Sequence, residues 1–123
     1  KGKSRNNKEH SFHDELAALG CICCRNKGLT DLNSDATGQQ YVSIHHVYGR
    51  TGKYCHYYCL PLCQWHHNMA LPKEMRKKFP NVFPVHADGA IGGKSIWEAE
   101  NGTQDELIEQ VWQMLGFKLD VAA

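Results

Sequence analysis

The sequence predicts a small α+β domain stapled by zinc, on three observations. Cysteine and histidine recur in matched two-residue gaps, Cys21 with Cys24 and Cys63 with His66, which suits one tetrahedral site. Two runs rich in β-branched, aromatic and leucine residues, 41–47 and 57–62, flank a loop carrying Gly49 and Gly52, which is a hairpin pattern. Helical periodicity lies on either side of that hairpin. At 123 residues the chain amounts to one domain, whose modest core gains from a metal staple.

Charge gives little away in total, with a formal net charge of +1. Its distribution says more. Lys1, Lys3, Arg5 and Lys8 make the N-terminus basic, whereas Glu98, Glu100, Asp105, Glu106 and Glu109 make the C-terminal part acidic. The basic end points to an anionic partner. No apolar run approaches the roughly 18 residues of a membrane span. Six cysteines and eight histidines in these spacings fit zinc better than disulfides, so a reducing, cytoplasmic compartment is expected. The chain begins at Lys1 without methionine and reads as a fragment, with a longer basic extension expected before it.

In order, residues 1–10 read as a basic flexible arm and 11–123 as a single domain. Phe12, Leu16 and Leu19 share a helical face that Gly20 stops. Cys21-Ile-Cys-Cys24 then reads as a tight metal-binding turn, and 26–40 as a polar loop. After the hairpin, a helix is expected from Cys63 to about Ala70, and a short one over 73–79 with Pro72 in its first turn. Gly89, Gly92 and Gly93 predict irregular chain, with a short strand at 94–97. Thr103-Gln-Asp-Glu106 is a capping box, followed by apolar residues at helical spacing up to Gly116. That last helix, with Trp97 and Trp112, reads as core scaffold. His10 and His13 read as surface residues.

The chemistry-bearing groups concentrate in 44–67. Cys21, Cys24, Cys63 and His66 supply a Cys3His set for structural zinc. Cys55 and Cys59 lie close enough to Cys63 in sequence to serve in a competing set, and Cys23 is left over. His67 is one helical step beyond His66, about 100° round, so it points elsewhere, toward the strand bearing His45 and His46. Two such histidines can divide the work. One ligates a divalent metal, and the other stays neutral to take a proton from water. Phosphodiester hydrolysis requires that combination. Arg50 and Lys53 in the hairpin loop read equally as phosphate contacts or solvated cations, and Lys73, Arg76, Lys77 and Lys78 offer a DNA-facing stripe, although most such runs are solvated faces.

A strand with a His pair, a hairpin loop and a helix opening Leu-Cys-x-x-His-His resembles the HNH, or ββα-metal, nucleases. The likeness extends to Ser43-Ile-His-His-Val47, Gly49-Arg-Thr51, Cys55-His56, Leu60-Pro-Leu-Cys-x-Trp-His-His67, Pro84-Val-His-Ala-Asp-Gly89 and Gly92-Gly-Lys94, together with Cys21-x-x-Cys24. These segments are similar to the phage-encoded, RecA-dependent recombination-enhancement nucleases. The resemblance implies a ββα-metal core and a DNA endonuclease acting on single-stranded or RecA-paired DNA, dependent on a RecA filament, in the cytoplasm of a bacterial host. It implies His46 as general base, and His45 and His67 as ligands of a catalytic Mg2+ or other divalent cation. Many HNH enzymes take the last ligand from the same helix. Leu71 and its neighbours offer none, and the resemblance places His86 there instead, as ligand or essential active-site histidine, with Asp88 as a weaker candidate. Arg50 in the hairpin loop is also taken as a candidate active-site residue. The middle Asn of the HNH name has no counterpart, since Asn68 is off position. A non-catalytic zinc module and a RecA-independent HNH endonuclease are the rival readings.

Overall fold

The computed structural model describes residues 2–29, 32, 34–87 and 89–119. Its centre is an antiparallel hairpin of β1 (Ser43–His46) and β2 (Cys59–Leu62). The register pairs His45 with Leu60 and His46 with Cys59. Both strands are shorter than their apolar runs suggest, because pairing stops where the loop chain turns away. Strand β2 is buried at every residue, whereas β1 is only partly covered. The histidines therefore stand on the open strand, and the core packs on the other.

Helix α1 (Asn7–Leu19) starts inside the stretch expected to be a flexible arm. Asn6 and Glu9 form a reciprocal capping box there, which satisfies two otherwise orphaned N–H groups. Phe12 and Leu16 bury its apolar face. His13 is buried beside them, not at the surface as its polarity suggests. Ahead of the helix the arm is tied down: the Lys3 amide donates to the Arg50 carbonyl at 2.8 Å.

The Cys21–Cys24 segment is a short helix, α2 (Ile22–Lys27), rather than a simple turn, and so the polar loop begins later than expected. Helix α3 (Gln64–His67) is a single turn and stops well short of Ala70. Helix α4 (Lys73–Lys78) comes next, with Pro72 as its N-cap.

The segment expected to be a strand at 94–97 is instead the start of α5 (Lys94–Asn101). Ile96 and Trp97 are good strand formers, but only Trp97 turns inward, and its fully buried indole packs in the core. Helix α6 (Gln104–Leu115) begins at the Thr103–Glu106 capping box and buries Leu107, Ile108 and Val111. Together with Leu60, Leu62 and Leu71, these residues close the core. Among the described residues, no helix is long and apolar enough to cross a membrane.

Candidate active site and metal centres

Cys21, Cys24, Cys63 and His66 come together as one buried set. Cys21 is the N-cap of α2 and Cys63 that of α3, so two short helices start at the same point. The Nδ1 of His66 lies 3.5 Å from Cys21 Sγ, 3.4 Å from Cys24 Sγ and 3.3 Å from Cys63 Sγ. Cys24 Sγ and Cys63 Sγ are 3.7 Å apart. A tetrahedron with Zn–S of about 2.3 Å and Zn–N of about 2.0 Å has S···S edges of about 3.8 Å and S···N edges of about 3.5 Å. The donor set therefore fits a structural metal such as zinc.

The electrostatics agree with the geometry. Burial opposes ionisation of Cys21, but contacts from Cys23, Cys24, Cys63 and His66 outweigh it and hold that thiol well below its usual range. Through its contact with Cys21, Cys24 is pushed up to about 12. Cys63 is raised further by Cys21 and Cys24. Only a cation lets three thiolates share so small a space. Cys23, Cys55 and Cys59 are buried but lie outside this set.

His66 also anchors a more distant loop. Its carbonyl accepts from the Trp97 indole N–H at 2.9 Å and from the Val85 amide at 3.1 Å. The His86 amide donates to the His67 carbonyl at 3.0 Å. The loop carrying Val85 and His86 is thereby laid along the end of α3, bringing His86 to His67. Gly92 makes the return possible. Its φ of 100° favours glycine, and a Cβ there would lie 2.6 Å from the Pro84 carbonyl oxygen.

His45, His67 and His86 form a trio whose ligand atoms lie within 4.8 Å of one another. Ring centroids are 5.3 Å apart for His45–His67 and 5.2 Å for the other two pairs. His67 Nδ1 is buried without a hydrogen-bond partner, which is a costly state for a ring nitrogen unless a cation takes its lone pair. Burial, then the neighbouring His45 and His86, lower His67 to about 4. His45 is lowered too, chiefly by burial. Neutral imidazoles are what a metal needs. Asp88, the weaker candidate for this group, lies outside the described residues.

His46 does not join that trio. Successive strand residues face opposite ways, and His46 packs instead with His13 and His56, at centroid distances of 5.5 and 5.1 Å. Its Nδ1 lies 3.3 Å from the Ile44 carbonyl oxygen and its Nε2 lies 3.0 Å from His56 Nδ1. His56 Nε2 donates to the Lys3 carbonyl at 2.8 Å, and His13 Nε2 to the His56 carbonyl at 2.7 Å. Arg5 closes the network by donating to His13 Nδ1 at 2.9 Å. Burial, then Arg50, His13 and His56, lower His46 to about 4. His13, His46 and Cys59 also lie within ligand distance of one another. Their donor atoms are engaged within the protein, however, with Cys59 Sγ donating to the Cys55 and His56 carbonyls at 3.4 Å.

Both groups open on one cavity of about 770 Å3, lined by His45, His46, His67, His86, Arg5 and Arg50, among others. Three residues beside these histidines are not singled out by sequence patterns. His13 has a signal, since it falls three residues before Leu16 and beside the buried stripe. Arg5 reads only as part of a basic arm. Gln104, whose Oε1 lies 2.7 Å from His45 Nε2, has none, because it reads as the inside of a helix cap. Lys73, Lys77 and Lys78 on α4 are exposed, and none of that helix's cations lines the cavity.

The family profile described as recombination enhancement, RecA-dependent nuclease matches residues 6–116, most of the chain and every cavity-lining residue but Arg5. On that match the chain belongs to the family of RecA-dependent nucleases that act in recombination enhancement.

Proposed function

We propose that this nuclease is a metal-dependent DNA endonuclease of the HNH, or ββα-metal, type, cutting single-stranded or RecA-paired DNA on a RecA filament in the cytoplasm of a bacterial host. The observation that carries the proposal is the shared cavity. A neutral histidine, His46, and a histidine trio fit for a cation face the same space, with two guanidinium groups at its edge.

In this reading His45, His67 and His86 hold the catalytic cation, Mg2+ in action, although imidazole donors also accept Zn2+ or Mn2+. When bound, it supplies positive charge to the scissile phosphate and its leaving oxygen. Arg50, with Arg5, binds the phosphate backbone and orients it over the trio. His46 is the general base. Its Nε2–H donates to His56 Nδ1 at 3.0 Å, and this leaves the Nδ1 lone pair, beside the Ile44 carbonyl, for the proton of water. His56 Nδ1 accepts because the His56 ring proton sits on Nε2 and donates to the Lys3 carbonyl, and the newly protonated His46 Nδ1 then donates to the Ile44 carbonyl. The Cys3His zinc fixes His66 and thereby aims His67.

The test is cleavage of a plasmid paired by RecA–ATP to a homologous strand, across a Mg2+ titration, with His67→Ala alongside. Cutting should require both RecA and the cation, and should vanish in His67→Ala while the tetrad keeps its zinc. Undiminished cutting by the variant, or in excess chelator, would overturn the proposal.

A further inference from the structure

We infer that Gln104 is a positioning residue for the catalytic metal: it fixes the tautomer of His45 and through it the cation affinity of the three-histidine site. This rests on the reading that His45, His67 and His86 hold that cation. The side-chain oxygen of Gln104 lies 2.7 Å from His45 Nε2, in a buried pair bridging the last helix and the first strand. An amide oxygen only accepts, so the ring proton is held on Nε2. A neutral imidazole has one ring proton, which leaves Nδ1 bare as the ligand atom. A ligating histidine whose other nitrogen is pinned in this way binds metal more tightly than one free to change tautomer or rotate.

The neighbouring elements hold Gln104 in place independently of this contact. It occupies the first position of α6, directly after the N-cap Thr103, where the capping box fixes the helix start. Its own amide donates to Glu98 Oε2 at 2.8 Å, which locks its backbone to α5. Helix α6 does not need the His45 contact to stay in place. Leu107, Ile108 and Val111 are buried in the core, and the Trp112 indole donates to the Tyr57 carbonyl at 3.0 Å. The polar pair satisfies two buried groups, but it is not what positions the helix.

Mn2+ binding, followed by electron paramagnetic resonance on the full chain with its tetrad zinc in place, separates the possibilities, because Mn2+ competes poorly for thiolates. Gln104→Leu should weaken Mn2+ binding by roughly 10- to 100-fold, with zinc content unchanged and a modest fall in melting temperature from the unpaired His45 N–H. Gln104→Glu, which keeps an acceptor, should bind as tightly as wild type or tighter. Wild-type Mn2+ affinity in Gln104→Leu, alongside lost binding in His67→Ala, would overturn the role of Gln104 alone. Unchanged Mn2+ binding in His67→Ala would overturn the three-histidine site itself. If Gln104→Leu does not fold, 15N NMR of the wild-type imidazoles decides: His45 protonated on Nε2 supports the inference, and His45 protonated on Nδ1 overturns it.

Discussion

His46 Nε2 and His56 Nδ1 stand 3.0 Å apart, and each ring has its other nitrogen on a backbone carbonyl, Ile44 for one and Lys3 for the other. A carbonyl only accepts, so His56 carries its proton on Nε2 and its Nδ1 accepts from His46 Nε2–H, which leaves His46 Nδ1 bare while both rings are neutral. A proton arriving at His46 Nδ1 turns its contact with the Ile44 carbonyl into a hydrogen bond, while His56 holds the other side of the ring. His56→Ala should therefore lower the cleavage rate by on the order of 10- to 100-fold, below the full worth of a general base, with little change in KM. His56→Gln, which offers an acceptor oxygen, should recover part of the loss. Equal rates in all three proteins would remove His56 from the chemistry.

Arg5 reaches the cavity from the arm, held there by His13. If it meets a DNA phosphate, Arg5→Ala should weaken binding and reduce the slope of log affinity against log salt by about 1. Fluorescence anisotropy of a labelled oligonucleotide over a KCl series measures both. A slope and affinity matching wild type would leave Arg5 as a prop for His13 only.

If the tetrad holds a structural metal, its removal should cost stability first. Cys63→Ser removes one of three sulfurs packed at 3.3–3.5 Å around His66 Nδ1. Zinc content should fall by one atom per chain, and stability by about 3 kcal/mol or more, roughly 10–20 °C in Tm for a domain of this size. A zinc-replete, fully stable Cys63→Ser would mean that the four residues are packing, not a site.

Acid should destabilise the fold through the trio. His67 is lowered to about 4 by burial and by His45 and His86, whereas an unfolded histidine titrates near about 6.5. Between those values the unfolded chain binds the extra proton and the folded chain does not. Stability from this group is thus complete above the unfolded value and is lost as pH falls toward the folded one. Urea midpoints in divalent-free buffer at pH 7.5 and pH 5 read this out. The drop should be smaller in His67→Asn, since zinc loss from the tetrad affects both proteins alike, and an equal drop would assign the acid sensitivity elsewhere.

Much of the fold and site is legible from spacing, because metal sites repeat short gaps. Cys21 with Cys24 and Cys63 with His66 advertise their partnership locally, and the hairpin and the capping box at Thr103 are equally local. The features that escape such reading are set by packing between distant segments. The Asn6–Glu9 capping box is masked by the surrounding basic residues, so the sequence alone extends the arm too far. Ile96 and Trp97 carry strand propensity, yet the helix starting at Lys94 overrides it, with the Trp97 indole donating to the His66 carbonyl. His13 looks exposed by its polarity, although its position beside the Phe12–Leu16 face favours burial. Gln104 meets His45 across 59 positions of sequence, and no periodicity connects them.

The central claim is that His46, and not the trio beside it, takes the proton from water. It is tested most directly by single-turnover cleavage of RecA-paired DNA with His46→Ala at saturating Mg2+. The expected result is a loss of roughly 10²- to 10⁴-fold in rate, with Mn2+ affinity, zinc content and melting temperature at wild-type values. Cleavage by His46→Ala at the wild-type rate would contradict it.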